Sequence, residues 1–125
     1  MSSGPAFRLA SVLLLSAAAA ATATRAAATP GQDPAEQAQI DAGRKVYERE
    51  KCATCHQIAR RGNSRYPLDG VAARLTDERL RRWLTHPAEM EAALPRMPAL
   101  RMSVMNYRLN ARDLDALVAY LRTLK

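Results

Sequence analysis

The segment EKCATCHQIA, residues 50–59, contains both cysteines of the chain and one of its two histidines. Cys52 and Cys55 are three residues apart and His56 follows directly, so on a helical turn the three side chains face the same way. Two thiols at this spacing can form thioether bonds with the two vinyl groups on one edge of a haem, and the adjacent imidazole then reaches the iron. The spacing therefore predicts one covalently bound haem c, with His56 as the proximal iron ligand.

Other uses of this motif fit the sequence less well. A disulfide within Cys-x-x-Cys closes too short a loop to stabilise the fold much. A thioredoxin-like redox centre needs a strand–helix–strand context, which is missing here. A structural zinc site needs four ligands. Only Cys52, Cys55, His56 and His86 could supply them, and neighbouring Cys55 and His56 rarely share one tetrahedron.

Residues 1–28 have the layout of a secretory signal peptide. An arginine precedes the apolar run LASVLLLSAAAAATA, and small residues then recur at alternate positions. This run is shorter than the roughly 20 residues that a membrane-spanning helix needs. We therefore expect a periplasmic or otherwise exported protein without a stable membrane span after cleavage. An uncleaved N-terminal anchor is the alternative.

The segment after the predicted signal peptide has no apolar periodicity. Residues 29–35 contain two prolines and a glycine, which predicts a flexible linker. The folded domain is then expected over residues 36–125, where no internal repeat is found.

The charge of the chain bears on its partners. The formal net charge is +7, and removing residues 1–28 takes away two arginines and no acid, which leaves 17 basic against 12 acidic residues. Nucleic-acid binding is a poor interpretation for an exported chain whose basic residues are not interleaved with aromatic ones. A basic surface that steers redox proteins with acidic docking surfaces fits better, and a merely solvated arginine-rich surface is the alternative.

Three segments predict helices, and no segment alternates like a strand. The first covers residues 34–52 and ends at the cysteines. The second, residues 76–87, begins with Thr76 as N-cap and stops at a proline. The third, residues 110–125, begins with Asn110 as N-cap. Two long loops rich in glycine and proline connect them, so the predicted fold class is all-α.

The segments GRKVYEREKCATCH, YPLDGV, LRRWLTHP and DLDALVAYLRTLK together resemble the small monohaem class I cytochrome c family, over residues 43–125. The resemblance implies a cytochrome c-like fold in which crossed N- and C-terminal helices pack around a covalently bound haem with His and Met axial ligands. Such a crossing is plausible here, because Gly43 would allow close approach near Tyr47, Leu117 and Tyr120.

The resemblance also implies roles for two residues near the haem. In the family, a proline carbonyl in a Gly-Pro-x-Leu-x-Gly-like loop orients the ligating histidine. RYPLDG supplies Pro67 at this position, although Tyr66 replaces the usual glycine. Trp83 stands where the family often packs a ring against haem. The alternatives are that Pro67 only shapes a turn and that Trp83 is an ordinary core residue.

The distal iron ligand is expected to be a methionine, whose soft neutral sulfur raises the reduction potential relative to a second histidine. The family's spacing to the last helix points to Met105 or Met102, whereas the Met-Pro pair of LPRMP points to Met97. Spacing to a rigid helix is the stronger constraint, so Met105 is the first choice. His86 is a further alternative that would give a bis-His haem.

These features together predict an exported monohaem cytochrome c that carries single electrons between redox partners. No nucleophile, paired acid and base, or second metal site stands out, so an enzyme is not expected. Three alternatives stay open: a catalytic or gas-binding haem protein with an open sixth site, an electron-transfer subunit of a larger oxidoreductase, and a zinc-binding interaction module.

Overall fold

The computed structural model describes residues 33–125, so the predicted signal peptide and most of the predicted linker lie outside the described residues. This part of the chain is mainly helical, with three very short strands and two 3₁₀ turns. The helices are α1 (Pro34–Arg49), α2 (Val71–Arg74), α3 (Asp77–Thr85), α4 (Pro87–Ala92) and α5 (Ala111–Arg122). The strands are β1 (His56–Ile58), β2 (Arg61–Gly62) and β3 (Tyr66–Pro67), and the 3₁₀ turns are Cys52–Thr54 and Met102–Val104.

The first and last helices pack against each other, as predicted. Gly43 of α1 lies against α5 so closely that a Cβ atom there would clash with the Ala116 carbonyl oxygen and lie 2.7 Å from the Tyr120 Cβ. Beside this contact, the rings of Tyr47 and Tyr120 meet edge to face, with centroids 5.9 Å apart. Leu117 is only 2% exposed. The absence of a side chain at Gly43 is what lets the two backbones approach.

The predicted N-caps are confirmed, whereas some helix boundaries differ from the prediction. Thr76 accepts a hydrogen bond from the Arg79 N–H and Asn110 accepts one from the Asp113 N–H. Helix α1 starts at Pro34, as predicted, with Asp33 as its cap, but it ends at Arg49, three residues before the predicted end.

Helix α4 was missed by the sequence prediction. Helix α3 ends at Thr85, close to the predicted stop, but Pro87 then begins α4 instead of entering a loop. Proline is favoured in the first turn of a helix, because its ring presets φ and the N–H that it lacks would be unpaired there in any case.

The three short strands form a sheet in the order β2-β1-β3, a second difference from the prediction. Strand β1 pairs antiparallel with β2 and parallel with β3, which places His56 beside Tyr66. Elements of two or three residues are too short for an alternating apolar pattern to be read. Despite its size, the sheet determines which backbone group lies next to the histidine.

The apolar core lies where α1, α2, α3 and α5 meet, beside the sheet. It is formed by Val46, Tyr47, Val71, Leu80, Leu117, Val118 and Leu121. Between residues 33 and 125, no helix combines the length and apolar character needed to cross a bilayer.

We expect Gly43→Ala to destabilise the protein, although alanine is normally the better helix residue. The added methyl group would push α1 away from the Ala116 carbonyl, and overpacking of this kind costs about 1–3 kcal/mol. Urea unfolding followed by circular dichroism measures the change. Gln39→Ala, on the exposed side of the same helix, should change the free energy of unfolding by no more than about 0.5 kcal/mol. Equal stability of the two variants would contradict the close contact.

Candidate functional site

A cavity of about 300 Å³ lies beside the core and is walled mostly by apolar side chains. Leucines of α3 and α5 form part of its wall, and Trp83 lies among them. Cys52, Cys55 and His56 all line it, so the structure brings the whole predicted attachment motif to one cavity. Trp83 is half-buried and stands where the resemblance implied a ring beside haem.

The local backbone explains how the motif reaches the cavity. Helix α1 ends at Arg49, and Lys51 then adopts a left-handed conformation with φ of 56°, which turns the chain into the 3₁₀ turn Cys52–Thr54. Cys52 and Cys55 are half-buried and are not joined in a disulfide. Burial raises the pKa of the Cys52 thiol to about 11. It therefore stays protonated at neutral pH, which does not suit thiol–disulfide exchange.

The histidine is oriented by a backbone carbonyl, but not by the predicted one. The His56 Nδ1 lies 3.0 Å from the carbonyl oxygen of Tyr66, so an N–H at Nδ1 donates there and leaves Nε2 available as a ligand. The prediction for Pro67 is wrong on this point. Its carbonyl accepts from the Arg74 guanidinium at 3.4 Å, and Pro67 itself is exposed. The parallel pairing of β1 and β3 is the reason, since it sets His56 opposite Tyr66.

The candidate distal ligands have different surroundings. Met102 lines the 300 Å³ cavity and also an adjoining cavity of about 30 Å³. Met105 lines only the smaller one. Met97 is 52% exposed and lines neither of them. His86 is exposed, with its Nδ1 2.7 Å from the Thr85 hydroxyl.

Sequence reasoning gave no role to Tyr107, which lines the smaller cavity together with the two methionines. Its hydroxyl is buried and has no hydrogen-bond partner among residues 33–125. Burial raises the pKa of Tyr107 to about 12, so the hydroxyl keeps its proton. Buried polar groups are nearly always paired, which marks this hydroxyl as a group that a bound cofactor or ligand could satisfy.

Glu91 is the second residue that the sequence did not reveal. It lines the larger cavity and is 1% exposed. Its carboxylate accepts hydrogen bonds from the Ser103 N–H at 3.0 Å, the Ser103 hydroxyl at 2.5 Å and the Arg101 guanidinium at 3.2 Å. Burial alone would raise the pKa of Glu91, but these bonds outweigh it and lower the pKa. Glu91 is therefore ionised at neutral pH and ties the turn that carries Met102 to α4.

These residues fit a covalently bound haem better than zinc. The cavity offers apolar walls for a large ring, two thiols for thioether bonds, an imidazole already oriented by a carbonyl, and a thioether sulfur. The buried Tyr107 hydroxyl has no hydrogen-bond partner among residues 33–125, so it could form a hydrogen bond with a bound cofactor or ligand. By contrast, no three His, Cys, Asp or Glu side chains within residues 33–125 converge as a metal-binding cluster.

The family comparison agrees with the site. The cytochrome c family model matches residues 40–125, which is more than half of the chain. This chain belongs to the cytochrome c family. Its cytochrome c-like fold, its covalent haem c with iron and its general role as a haem-binding electron-transfer protein follow from that membership. No curated protein and no solved structure matches this cytochrome.

We expect Glu91→Gln to destabilise the cytochrome. A neutral amide loses the charge-assisted bond from Arg101 and accepts less well from Ser103, and hydrogen bonds to charged groups contribute about 1.5–3 kcal/mol each. Thermal unfolding of the haem-loaded protein is the measurement. Glu89→Gln makes the same change on the same helix, where the carboxylate is 63% exposed and 3.5 Å from Arg82, and should cost under about 1 kcal/mol. A similar loss of stability in both variants would show that the buried hydrogen bonds of Glu91 stabilise the protein no more than the exposed contact of Glu89 does.

Proposed function

We propose that this cytochrome is an exported monohaem electron carrier that passes single electrons between redox proteins. The observation that carries the proposal is the cavity itself, which gathers Cys52, Cys55, His56 and Met102 between apolar walls. Export is supported by the signal-peptide layout of residues 1–28 and by the attachment motif, which is typical of exported proteins.

In this proposal, Cys52 and Cys55 tether the haem and His56 is the proximal iron ligand. The Tyr66 carbonyl keeps a proton on Nδ1 of His56 and so presents Nε2 to the iron. When bound, the haem supplies a one-electron Fe(III)/Fe(II) couple whose potential depends on its axial ligands and its burial. The apolar side chains of α3 and α5 keep water away from it.

The distal ligand is proposed to be Met102, with Met105 as the second choice. Spacing along the sequence favoured the reverse order. The surroundings of the two residues support Met102, because it lines both cavities beside His56, whereas Met105 lines only the small one. A methionine in this role also counts against a catalytic or gas-binding protein with an open sixth site.

The visible spectra of oxidised and reduced haem-loaded protein test this assignment. The parent should be low-spin with a Met–Fe(III) charge-transfer band, and Met102→Ala should remove the band. Met97→Ala changes an exposed methionine that lines neither cavity, so it should leave the band intact. Loss of the band in Met105→Ala alone would instead identify Met105 as the distal ligand, as sequence spacing favoured. A high-spin parent that binds CO or cyanide readily would replace the carrier with a catalytic or sensing haem protein.

The proposed partners are redox proteins with acidic docking surfaces. The excess of 17 basic over 12 acidic residues outside residues 1–28 supports this, and so does the segment between α4 and α5. It contains exposed Arg96 and Arg108 beside exposed Leu94, Met97 and Val104. Since Leu94 also lines the cavity, this segment would present both charge and apolar area next to the haem.

We expect electron transfer to an acidic redox protein to slow as ionic strength rises, because salt screens the attraction that steers the encounter. Stopped-flow measurement of the second-order rate constant gives the salt dependence. Arg96→Gln should lower the rate constant at low salt and weaken its dependence on salt, because charges at the rim of a docking surface act mainly on the association rate. Lys45→Gln removes the same charge from an exposed position on α1 and should have less effect. A rate that is unchanged by salt would contradict electrostatic docking.

A further inference from the structure

We propose that Tyr66 is a positioning residue that couples the two sides of the haem cavity. Its backbone carbonyl orients His56, while its side-chain hydroxyl holds the segment that leads to Met102. This inference rests on the proposed function, in which His56 and Met102 are the axial ligands.

The proximal half of the coupling uses only the backbone of Tyr66. Strand β3 pairs parallel with β1, with His56 opposite Tyr66, and the carbonyl oxygen lies 3.0 Å from the His56 Nδ1. Any residue at position 66 could supply this carbonyl. The two rings lie 6.4 Å apart and are tilted by 60°, so the Tyr66 side chain passes beside the histidine and lines the same cavity.

The distal half uses the hydroxyl, which only tyrosine supplies. The Tyr66 Oη accepts hydrogen bonds from the Ala99 N–H at 2.9 Å and from the Leu100 N–H at 3.3 Å. These two residues lie 33 and 34 positions further along the chain, in a stretch that belongs to neither a helix nor a strand. Their N–H groups have no regular secondary structure to pair with, so the hydroxyl takes the place of a backbone acceptor.

The segment from residue 99 to residue 103 is thus held at two points. Tyr66 holds Ala99 and Leu100, and the buried carboxylate of Glu91 holds Arg101 and Ser103. Met102 stands between Arg101 and Ser103, which Glu91 holds, and two positions after Leu100, which Tyr66 holds. Glu91 belongs to α4 and fixes the segment to its own side of the cavity, whereas Tyr66 reaches it from the strand beside His56. A tyrosine side chain has only two flexible torsions, so it sets this separation with little loss of conformational entropy.

The coupling predicts a specific defect when the hydroxyl alone is removed. In Tyr66→Phe the carbonyl to His56 remains, so haem attachment and the proximal bond should be unchanged. The Ala99 and Leu100 N–H groups lose their acceptor, and Met102 should leave the iron more often. Because a hydrogen bond typically contributes about one factor of ten to an equilibrium, we expect roughly tenfold faster imidazole binding to the Fe(III) protein.

Two readouts on the haem-loaded protein test the proposal. Amide hydrogen exchange at Ala99 and Leu100 should become roughly tenfold faster in Tyr66→Phe, while exchange at Ser103, held by Glu91, should stay as in the parent. Stopped-flow imidazole binding should speed up by a similar factor. Tyr120→Phe is the matched control. It removes the same hydroxyl from a half-buried tyrosine in the contact between α1 and α5, and it should change neither readout.

Each outcome bears on the proposal. Unchanged exchange at Ala99 and Leu100 in Tyr66→Phe would overturn it, and so would faster exchange without faster imidazole binding, since the loop would then move without affecting the iron ligand. If Tyr66→Phe does not fold, the parent protein still tests the proposal. Rapid amide exchange at Ala99 and Leu100 in the parent would show that the Tyr66 hydroxyl does not hold these two N–H groups, which would overturn the proposal. A parent without a Met–Fe(III) band would instead overturn the ligand assignment of the proposed function, and the exchange data would still report on the contact itself.

Discussion

The close approach of α1 and α5 at Gly43 is the contact on which the rest of the site depends. Because α1 lies against the Ala116 carbonyl, its C-terminal end is brought to the cavity wall, and the left-handed Lys51 then turns the two cysteines toward the interior. Helix α5 contributes Leu117 to the same wall. This single contact between α1 and α5 therefore positions both the attachment motif and much of the apolar surface around it.

The cavity also bears on how so small a domain is stabilised. A small domain has limited apolar area for a core of its own, and a bound cofactor can add to that core. Here the core residues Tyr47, Leu80, Leu117 and Leu121 also line the cavity. A haem held between them extends the core, and a group that binds the folded state alone stabilises it. Cofactor binding and folding are thus linked in this cytochrome.

The loops around the cavity are held mainly by polar contacts. Near His56, the Asp69 carboxylate accepts from the Ala59 N–H at 2.9 Å, in a turn where Ala59 and Arg60 both have positive φ. On the other side, Glu91 and Tyr66 hold the segment around Met102. Irregular backbone has no ladder of hydrogen bonds, so side-chain acceptors define its path. In this protein the helices bring the site together and these few acceptors set its geometry.

Much of this could be predicted because the signals are local. The attachment motif, the N-caps Thr76 and Asn110, and the small residue at the crossing are spacing patterns within one turn or one helix face, where backbone geometry leaves few choices. Helix α4 and the short strands were missed because elements of two to six residues carry too little periodicity.

What only the tertiary structure decided involves residues brought together from distant parts of the chain. The acceptor for His56 is Tyr66 and not Pro67, because a shift of one residue in strand pairing changes which carbonyl faces the ring. The roles of Glu91 and Tyr107, and the ranking of Met102 over Met105 in our proposal, depend on the path of a loop without regular structure. Sequence spacing predicted which groups would bind the haem at the motif. The path of the folded chain decided which groups orient these motif residues and which groups lie beside them. Such contacts depend on tertiary packing and not on the periodicity of a helix or a strand.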